Sequence, residues 1–155
     1  MQSVLLSNNA LTDESLAALL RALVVRQDVR KLVIANNEIG PRSVEQLLSL
    51  LQKPLSQCLH DLKLVGCKTQ GPAIMKLLER VRDGNSNLKK LGLVRMQLNA
   101  ACVGVLIDAL PSFPYLVELD LSWNSLFSEG ISQLLSALLS IKKLQSLNLA
   151  WNSLS

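Results

Sequence analysis

The chain repeats one short pattern of apolar positions from end to end. The clearest copy spans 116–126, with leucine at its first, fourth, sixth and eleventh places and Asn124 at its ninth. Copies begin at residues 1, 29, 59, 88, 116 and 144, so the period is 28 to 30 residues. Successive side chains of a strand point to opposite faces, so the fourth and sixth places enter one core. The pattern therefore predicts six parallel strands, with the third, fifth and seventh places facing out.

The ninth place of each copy lies inside the turn that follows the strand. An asparagine there can satisfy buried backbone groups, because its amide carries two donors and an acceptor. We expect a structural ladder formed by Asn9, Asn37, Cys67, Asn124 and Asn152. Met96 stands at the ninth place of the fourth repeat and has no donor, so the ladder should be weakest there.

A second apolar pattern follows each strand, with the i, i+3, i+4, i+7 spacing of one helical face. Both Leu19 in the first set and Leu135 in the fifth belong to this face and are expected to be buried. The five sets occupy the same offsets in their repeats and begin at Leu16, Val44, Ile74, Val103 and Ile131.

Helix boundaries can also be predicted. Proline at 41 and 72 suits a first helical turn, and Asn99 and Ser128 are candidate N-caps. Repeat length varies only after the helices, at 53–58 and 83–87. These loops can absorb the variation without disturbing the strands.

The chain thus reads as a single α/β domain over 1–155, with five strand–helix repeats and a sixth strand in 144–155. This pattern resembles the ribonuclease-inhibitor-like class of leucine-rich repeat proteins. The resemblance implies a horseshoe-shaped solenoid, with parallel strands on its concave face and helices on its convex face. Neither end carries a polar capping unit, so we expect a piece of a longer array that self-associates through its ends.

Composition and charge narrow the class of protein. The chain is 49% hydrophobic and 3% aromatic, with a net charge of +4. No apolar run is long enough to span a membrane. Three cysteines, an odd and sparse set, argue against a disulfide framework and favour an intracellular, cytoplasmic setting.

Residues suited to chemistry are few. His60 is the one histidine and has no serine or cysteine nucleophile and carboxylate placed around it. His60 and Cys67 stand at opposite ends of one strand, so they cannot share a tetrahedral metal ion with Cys58. No phosphate-binding loop motif occurs. We therefore predict no enzymatic activity, no cofactor and no metal.

The outward strand positions are the most informative surface. Basic residues concentrate in the middle repeats and acidic residues in the fifth, while both tryptophans stand at the eighth place of adjacent repeats. We expect a partner-binding surface formed by Lys31, Lys63, Lys90, Arg95, Glu118, Asp120, Trp123, Asn148 and Trp151. The alternatives are a solvated polar face and tryptophans that pack on neighbouring turns. Nucleic acid is disfavoured, because the basic strands have no interleaved aromatic residues.

The expected function is that of a protein–protein interaction module or scaffold, binding its partner through the concave face and rims. The resemblance implies two alternatives. One is a regulatory or ligand-sensing region of a larger signalling protein of the NOD-like-receptor type. The other, weaker alternative is a GTPase-activating protein similar to the Ran-directed family.

Overall fold

The computed structural model describes residues 2–52, 59–69, 72–81 and 87–153. Several predicted features lie outside these ranges. They are Met1, Cys58, Leu154, the loop at 53–58 and all but the last residue of the loop at 83–87.

Within the described residues, one strand of each repeat joins a parallel six-stranded sheet in chain order. Equivalent places pair in register throughout, as in Leu32 with Leu62 and Leu62 with Leu91. The strands are β1 (Ser3–Ser7), β2 (Lys31–Ala35), β4 (Asp61–Val65), β6 (Lys90–Val94), β7 (Glu118–Asp120) and β8 (Ser146–Asn148).

Two very short strands, β3 (Glu38–Ile39) and β5 (Lys68–Thr69), form a separate parallel pair after the turns of the second and third repeats. The sequence pattern does not predict this pair, because two residues are too few to show alternation.

The helices alternate with the strands, as the sequence predicts. Asn99 caps α4, and its side chain accepts a hydrogen bond from the Ala101 N–H. The N-cap of α5 is Phe127, so the predicted cap at Ser128 is wrong by one residue. No described helix is both long and apolar enough to cross a membrane. The helices are α1 (Asp13–Arg26), α2 (Pro41–Gln52), α3 (Ala73–Val81), α4 (Ala100–Ala109, continued by a 3-10 turn at Leu110–Ser112) and α5 (Ser128–Leu138).

The core lies between the helices and one face of the sheet. Strand places four and six are fully buried in the middle repeats, as at Leu62 and Leu64. These side chains join the apolar helix faces in one continuous cluster. The remaining face of the sheet is open, and it is the concave face of the predicted solenoid.

Two leucines predicted to be buried are exposed instead: Leu19 is 43% exposed and Leu135 45%. Their counterparts Leu47 and Leu48 in α2 are 0% and 3% exposed, because α2 has a helix on each side. By contrast, α1 packs against α2 alone among the described helices, and α5 against α4 alone. Burial on these helices therefore depends on the neighbouring repeat, while self-association through the ends stays a prediction.

Candidate functional site

Asn124 shows what the ninth place does in this fold. Its Oδ1 accepts hydrogen bonds from the N–H groups of Met96 (3.0 Å) and Leu98 (3.1 Å) in the preceding repeat. Its Nδ2 donates to the carbonyl of Leu93 (2.8 Å) in that repeat and to Leu121 (2.9 Å) in its own. The side chain is 7% exposed. One amide thus holds two consecutive turns together.

Asn37 forms an equivalent bridge to the first repeat, accepting from the Leu11 N–H at 3.1 Å and donating to the Leu6 carbonyl at 2.9 Å. Asn152 is half-buried and bridges to the fifth repeat, donating to the Leu121 carbonyl at 3.0 Å. Asn9 differs from both because it is exposed. No hydrogen bond from the Asn9 side chain occurs within the described chain, so only its backbone takes part in the ladder.

The ninth places of the third and fourth repeats hold residues that bond less. Cys67 is buried, and its thiol donates to the Ile34 carbonyl at 3.4 Å. Burial raises the pKa of the Cys67 thiol, which keeps it protonated and able to donate. Met96 is 3% exposed, and its sulfur makes no hydrogen bond to the described residues. The amide ladder is thus interrupted in the middle of the chain.

The concave face is a set of internal ion pairs rather than separate basic and acidic regions. Three lysines each contact a carboxylate of a neighbouring or next-but-one strand. The pairs are Lys31–Asp61 at 3.6 Å, Lys63–Asp120 at 3.2 Å and Lys90–Glu118 at 2.6 Å. Because the sheet keeps the order of the chain, the basic strands lie beside the acidic β7, and charges that are segregated along the chain form ion pairs across the strands.

Gly92 explains how Lys63 reaches Asp120 across the strand between them. A Cβ built on Gly92 would lie 2.8 Å from Lys63 Cγ, so the lysine stem occupies the space of the missing side chain. Burial alone would raise the pKa of Asp120, but hydrogen bonds from Ser122 and Lys63 lower it overall. The Asp120 carboxylate is therefore ionised and already occupied. Asn148, beside it on β8, is exposed and accepts from the Ala150 N–H.

The eighth places form a column along the sheet edge where the strands end, here called the rim column. It consists of Asn8, Asn36, Gly66, Arg95, Trp123 and Trp151. Every member has a positive φ, between 52° and 60°. That conformation is free of strain only for glycine, and asparagine tolerates it better than arginine or tryptophan does. The repeat therefore turns at this place whatever residue occupies it.

Side chains of the rim column contact one another along its length. Asn36 donates to Asn8 Oδ1 at 2.8 Å, and Arg95 Nη2 donates to Asn36 Oδ1 at 3.1 Å. The indoles of Trp123 and Trp151 stack with centroids 4.5 Å apart and planes 14° from parallel. They are 50% and 70% exposed. The chain thus presents a paired aromatic surface at one end of a polar row.

Comparisons with known proteins agree with this geometry. Residues 114–135 match the family model described as Leucine Rich repeat. The chain is 31% identical, over 84% of its length, to mouse NACHT, LRR and PYD domains-containing protein 5. It is also 35% identical, over 72% of its length, to bovine Tonsoku-like protein.

The chain therefore has the fold of a leucine-rich repeat solenoid and is similar to leucine-rich repeat proteins. It spans 14% of the length of the mouse protein and 8% of the bovine one. The comparisons and the structure thus agree on the leucine-rich repeat.

The opposite edge of this leucine-rich repeat sheet holds His60 between Arg30 and Lys89. Burial, together with the positive charges of Lys89 and Arg30, lowers the pKa of His60. Among the described residues no three potential metal ligands lie together. The arrangement makes His60 a neutral neighbour of two cations at ordinary pH.

Sequence reasoning missed the buried carboxylate of Asp13, at the start of α1. Its carboxylate accepts hydrogen bonds from the N–H groups of Gly40 (2.9 Å), Arg42 (3.0 Å) and Ser43 (2.8 Å), and from the Ser43 hydroxyl. It therefore caps the N-terminus of α2 from the preceding leucine-rich repeat. The signal available in the sequence was an acidic residue at an offset where the other repeats have proline, glycine, alanine or serine.

Proposed function

We propose that this chain is a protein-interaction module of the ribonuclease-inhibitor-like class that binds another protein through its concave face and rims. The observation that carries the proposal is the stacked pair of Trp123 and Trp151, 50% and 70% exposed. Tryptophan is enriched among the residues that dominate binding energy at protein interfaces. A rigid, preassembled aromatic pair loses little side-chain entropy when a partner binds.

On the concave face, positive and negative side chains lie side by side, so the face has no single sign of charge. We propose that Lys31, Lys63, Lys90, Glu118 and Asp120 orient the partner through their alternating signs. Complementary charge of this kind affects specificity and association rate more than affinity. Exposed ion pairs contribute little to stability, so a partner can engage these side chains at little cost to the fold.

A second candidate is a regulatory region of a larger signalling protein. The similarity to a mouse protein whose name includes NACHT, LRR and PYD domains favours it. In this case the bound partner would be another domain of the same chain or a ligand sensed by it. Both candidates use the same surface.

The proposal can be tested by quantitative affinity capture from cell extract. The bait would be the immobilised wild-type chain, a variant carrying Trp123→Ala and Trp151→Ala, and a control, Leu139→Ala. Leu139 is 86% exposed at the end of α5 and away from the rim column, so it matches the loss of exposed apolar surface. We expect the tryptophan variant to lose proteins that the wild type and the control both retain. Equal capture by all three would refute the proposal.

A further inference from the structure

We infer that the rim column binds an acidic, extended segment of the partner protein, with a carboxylate on Arg95 and an apolar side chain against Trp123 and Trp151. The inference rests on the proposed function and specifies the chemistry of the partner. Three features of the rim column carry it: an uncompensated cation, two exposed aromatic rings and the spacing between them.

The uncompensated cation is Arg95. Among the described residues, its guanidinium makes one side-chain hydrogen bond, to Asn36, and no carboxylate lies within ion-pair distance of it. The Asp120 carboxylate in the next repeat is engaged by Lys63 at 3.2 Å and by the Ser122 hydroxyl at 2.6 Å. Several N–H donors of Arg95 thus remain directed to solvent, and a carboxylate could accept two of them at once.

Other charges on this edge do not cancel Arg95. Glu38 and Lys68 are directly opposite one another in the pairing of β3 with β5, so their charges offset each other locally. Arg95 is therefore the positive charge nearest to the aromatic pair along the rim column. Unpaired carboxylates near the tryptophans would have favoured a basic partner segment. Asp120 is already paired with Lys63, so a basic segment is disfavoured.

The tryptophans add to the attraction for acceptors. The two rings are nearly parallel and 4.5 Å apart, so each covers one face of the other, while the residues stay 50% and 70% exposed. Neither indole N–H has a hydrogen-bond partner among the described residues, so each can donate to a carbonyl or carboxylate oxygen. The pair therefore suits a segment rich in backbone carbonyls and carboxylates that also carries an apolar side chain.

The spacing of the column selects an extended segment. The Arg95 guanidinium lies over Gly66, one repeat further from the tryptophans than the Arg95 backbone does. Neighbouring repeats are about 4.8 Å apart in a sheet, so the aromatic pair begins about 9.6 Å from the guanidinium and ends about 14.4 Å from it. In an extended segment, residues i and i+4 point the same way and are about 13 Å apart. An acidic and an apolar residue four places apart therefore fit this distance, and a peptide that repeats Glu-Gly-Leu contains such pairs.

Gly66 positions the guanidinium for this role. A Cβ built on Gly66 would lie 2.7 Å from Arg95 Nη2 and 2.8 Å from Asn36 Oδ1. The arginine therefore lies across the space left by the missing side chain and is held at its far end by Asn36. On the concave face, Lys63 likewise lies across the space left by the missing side chain of Gly92.

Single-stranded nucleic acid fits less well. It could stack bases on indoles, but such binding combines stacking with a positively charged groove that follows several phosphates. The rim column offers one guanidinium. It also has one face of each ring already covered by the other ring.

The test uses the emission of the two tryptophans, which are the chain's full complement and both lie in the rim column. The wild-type chain would be titrated with a synthetic peptide that repeats Glu-Gly-Leu and contains no tryptophan. Comparison probes would repeat Lys-Gly-Leu or Glu-Gly-Gly, and oligothymidylate would serve as the nucleic-acid probe. We expect a saturable change in emission with Glu-Gly-Leu, weakened by salt, and at least about tenfold weaker binding of each comparison probe.

Variants assign the effect to Arg95. Arg95→Gln should weaken Glu-Gly-Leu binding about tenfold, the scale of one lost charge-assisted hydrogen bond. Arg30→Gln, on the opposite edge, is the matched control and should bind as the wild type does. Gly66→Ala should also weaken binding, but not further when Arg95→Gln is present, because it acts by displacing the arginine. Circular dichroism would verify the fold of each variant.

Several results would overturn the inference. They are the absence of saturable binding up to millimolar Glu-Gly-Leu, equal binding of the Lys-Gly-Leu or Glu-Gly-Gly probe, tighter binding of oligothymidylate, and an unchanged affinity in Arg95→Gln. The affinity capture described above separates this failure from failure of the proposed function. If Arg95→Gln keeps every protein that the tryptophan variant loses, the module binds proteins but not through an acidic segment.

Discussion

The turns after β7 and β4 occupy the same place in their repeats but hold their backbone differently. After β7, Asn124 fills the turn and bonds to two N–H groups of the preceding repeat. After β4, Cys67 fills it and offers only a weak donor to the Ile34 carbonyl. One turn is therefore held by a side chain, while the other needs additional support.

That support comes from the backbone. Beyond the Cys67 turn, the Lys68 N–H donates to the Asn37 carbonyl at 2.9 Å, and β3 and β5 pair. Beyond the Asn124 turn, the Ser125 N–H donates to the Leu98 carbonyl, two places further along the preceding repeat. The residue at the ninth place therefore determines which backbone N–H and carbonyl groups of neighbouring repeats form hydrogen bonds. A shorter side chain lets the two backbones pair directly.

Removing an amide bridge should have the largest effect. Asn124→Ala leaves buried N–H and carbonyl groups without partners, so the free energy of unfolding should fall by about 1–3 kcal/mol, toward the upper end of that range. Urea denaturation followed by circular dichroism would measure it. The matched control is Asn9→Ala, at an exposed ninth place, which should change stability by less than about 0.5 kcal/mol. Similar losses in the two variants would contradict the bridging role.

Asp13 provides a charged bridge between repeats, and its contribution should depend on pH where that of an amide does not. Burial alone would raise the pKa of Asp13, but hydrogen bonds from Ser43, Arg42 and Gly40 lower it below its ordinary value. A depressed folded-state pKa stabilises the fold above the unfolded-state pKa, near 4, and this stability is lost as pH falls through the folded value.

Asp13→Asn should therefore lower the free energy of unfolding by about 1–2 kcal/mol at neutral pH. The difference from the wild type should shrink as pH falls below about 4, where the wild-type carboxylate becomes protonated. Thermal melts across pH would show both effects, with Asn124→Ala as the comparison whose deficit stays constant. A deficit for Asp13→Asn that does not vary with pH would rule out the charge as its source.

Placing an amide in the Cys67 turn tests whether this turn can accept an amide bridge. Since the backbone groups beyond this turn already pair with each other, Cys67→Asn should give no gain and should destabilise the fold by about 1 kcal/mol through crowding. Denaturant midpoints of the variant and the wild type would measure the change. An increase in stability would mean that the turn accepts an amide bridge and that the pairing of β3 with β5 is incidental.

The smallest effect is expected at Trp123, which precedes Asn124 but lies outside the turn. Trp123→Ala removes one stacked, half-exposed ring, so the loss of stability should be about 0.5–1.5 kcal/mol. Near-ultraviolet circular dichroism should lose the signal of the coupled indoles. Complete unfolding of this variant would show that the ring supports the core, and the aromatic anchor would then need another explanation.

Much of the fold follows from local pattern. The strand and helix residues recur at fixed offsets, so the six strands, the helices and the parallel order of the sheet could be predicted from spacing alone. The bridging by Asn37 and Asn124 could be predicted too, because few side chains can satisfy donors and acceptors inside a turn. Each of these features depends on positions within one repeat or on its immediate neighbour.

Other features were decided by tertiary structure. Leu19 and Leu135 stand at positions where the helical pattern predicts burial, but burial there also requires a neighbouring helix. The basic and acidic strands looked segregated along the chain, yet in the sheet Lys63 reaches Asp120 over Gly92. Charges read in sequence order give no account of which neighbours neutralise them.

The sequence by itself determined the repeat, because its period places equivalent side chains in the same environment again and again. The tertiary structure determines what that regularity brings together at the surface: Arg95, which lies across Gly66 with no carboxylate partner among the described residues, and two indoles stacked 4.5 Å apart. The physical reason is the close spacing of parallel strands. It turns residues 28 positions apart in the chain, such as Trp123 and Trp151, into direct neighbours.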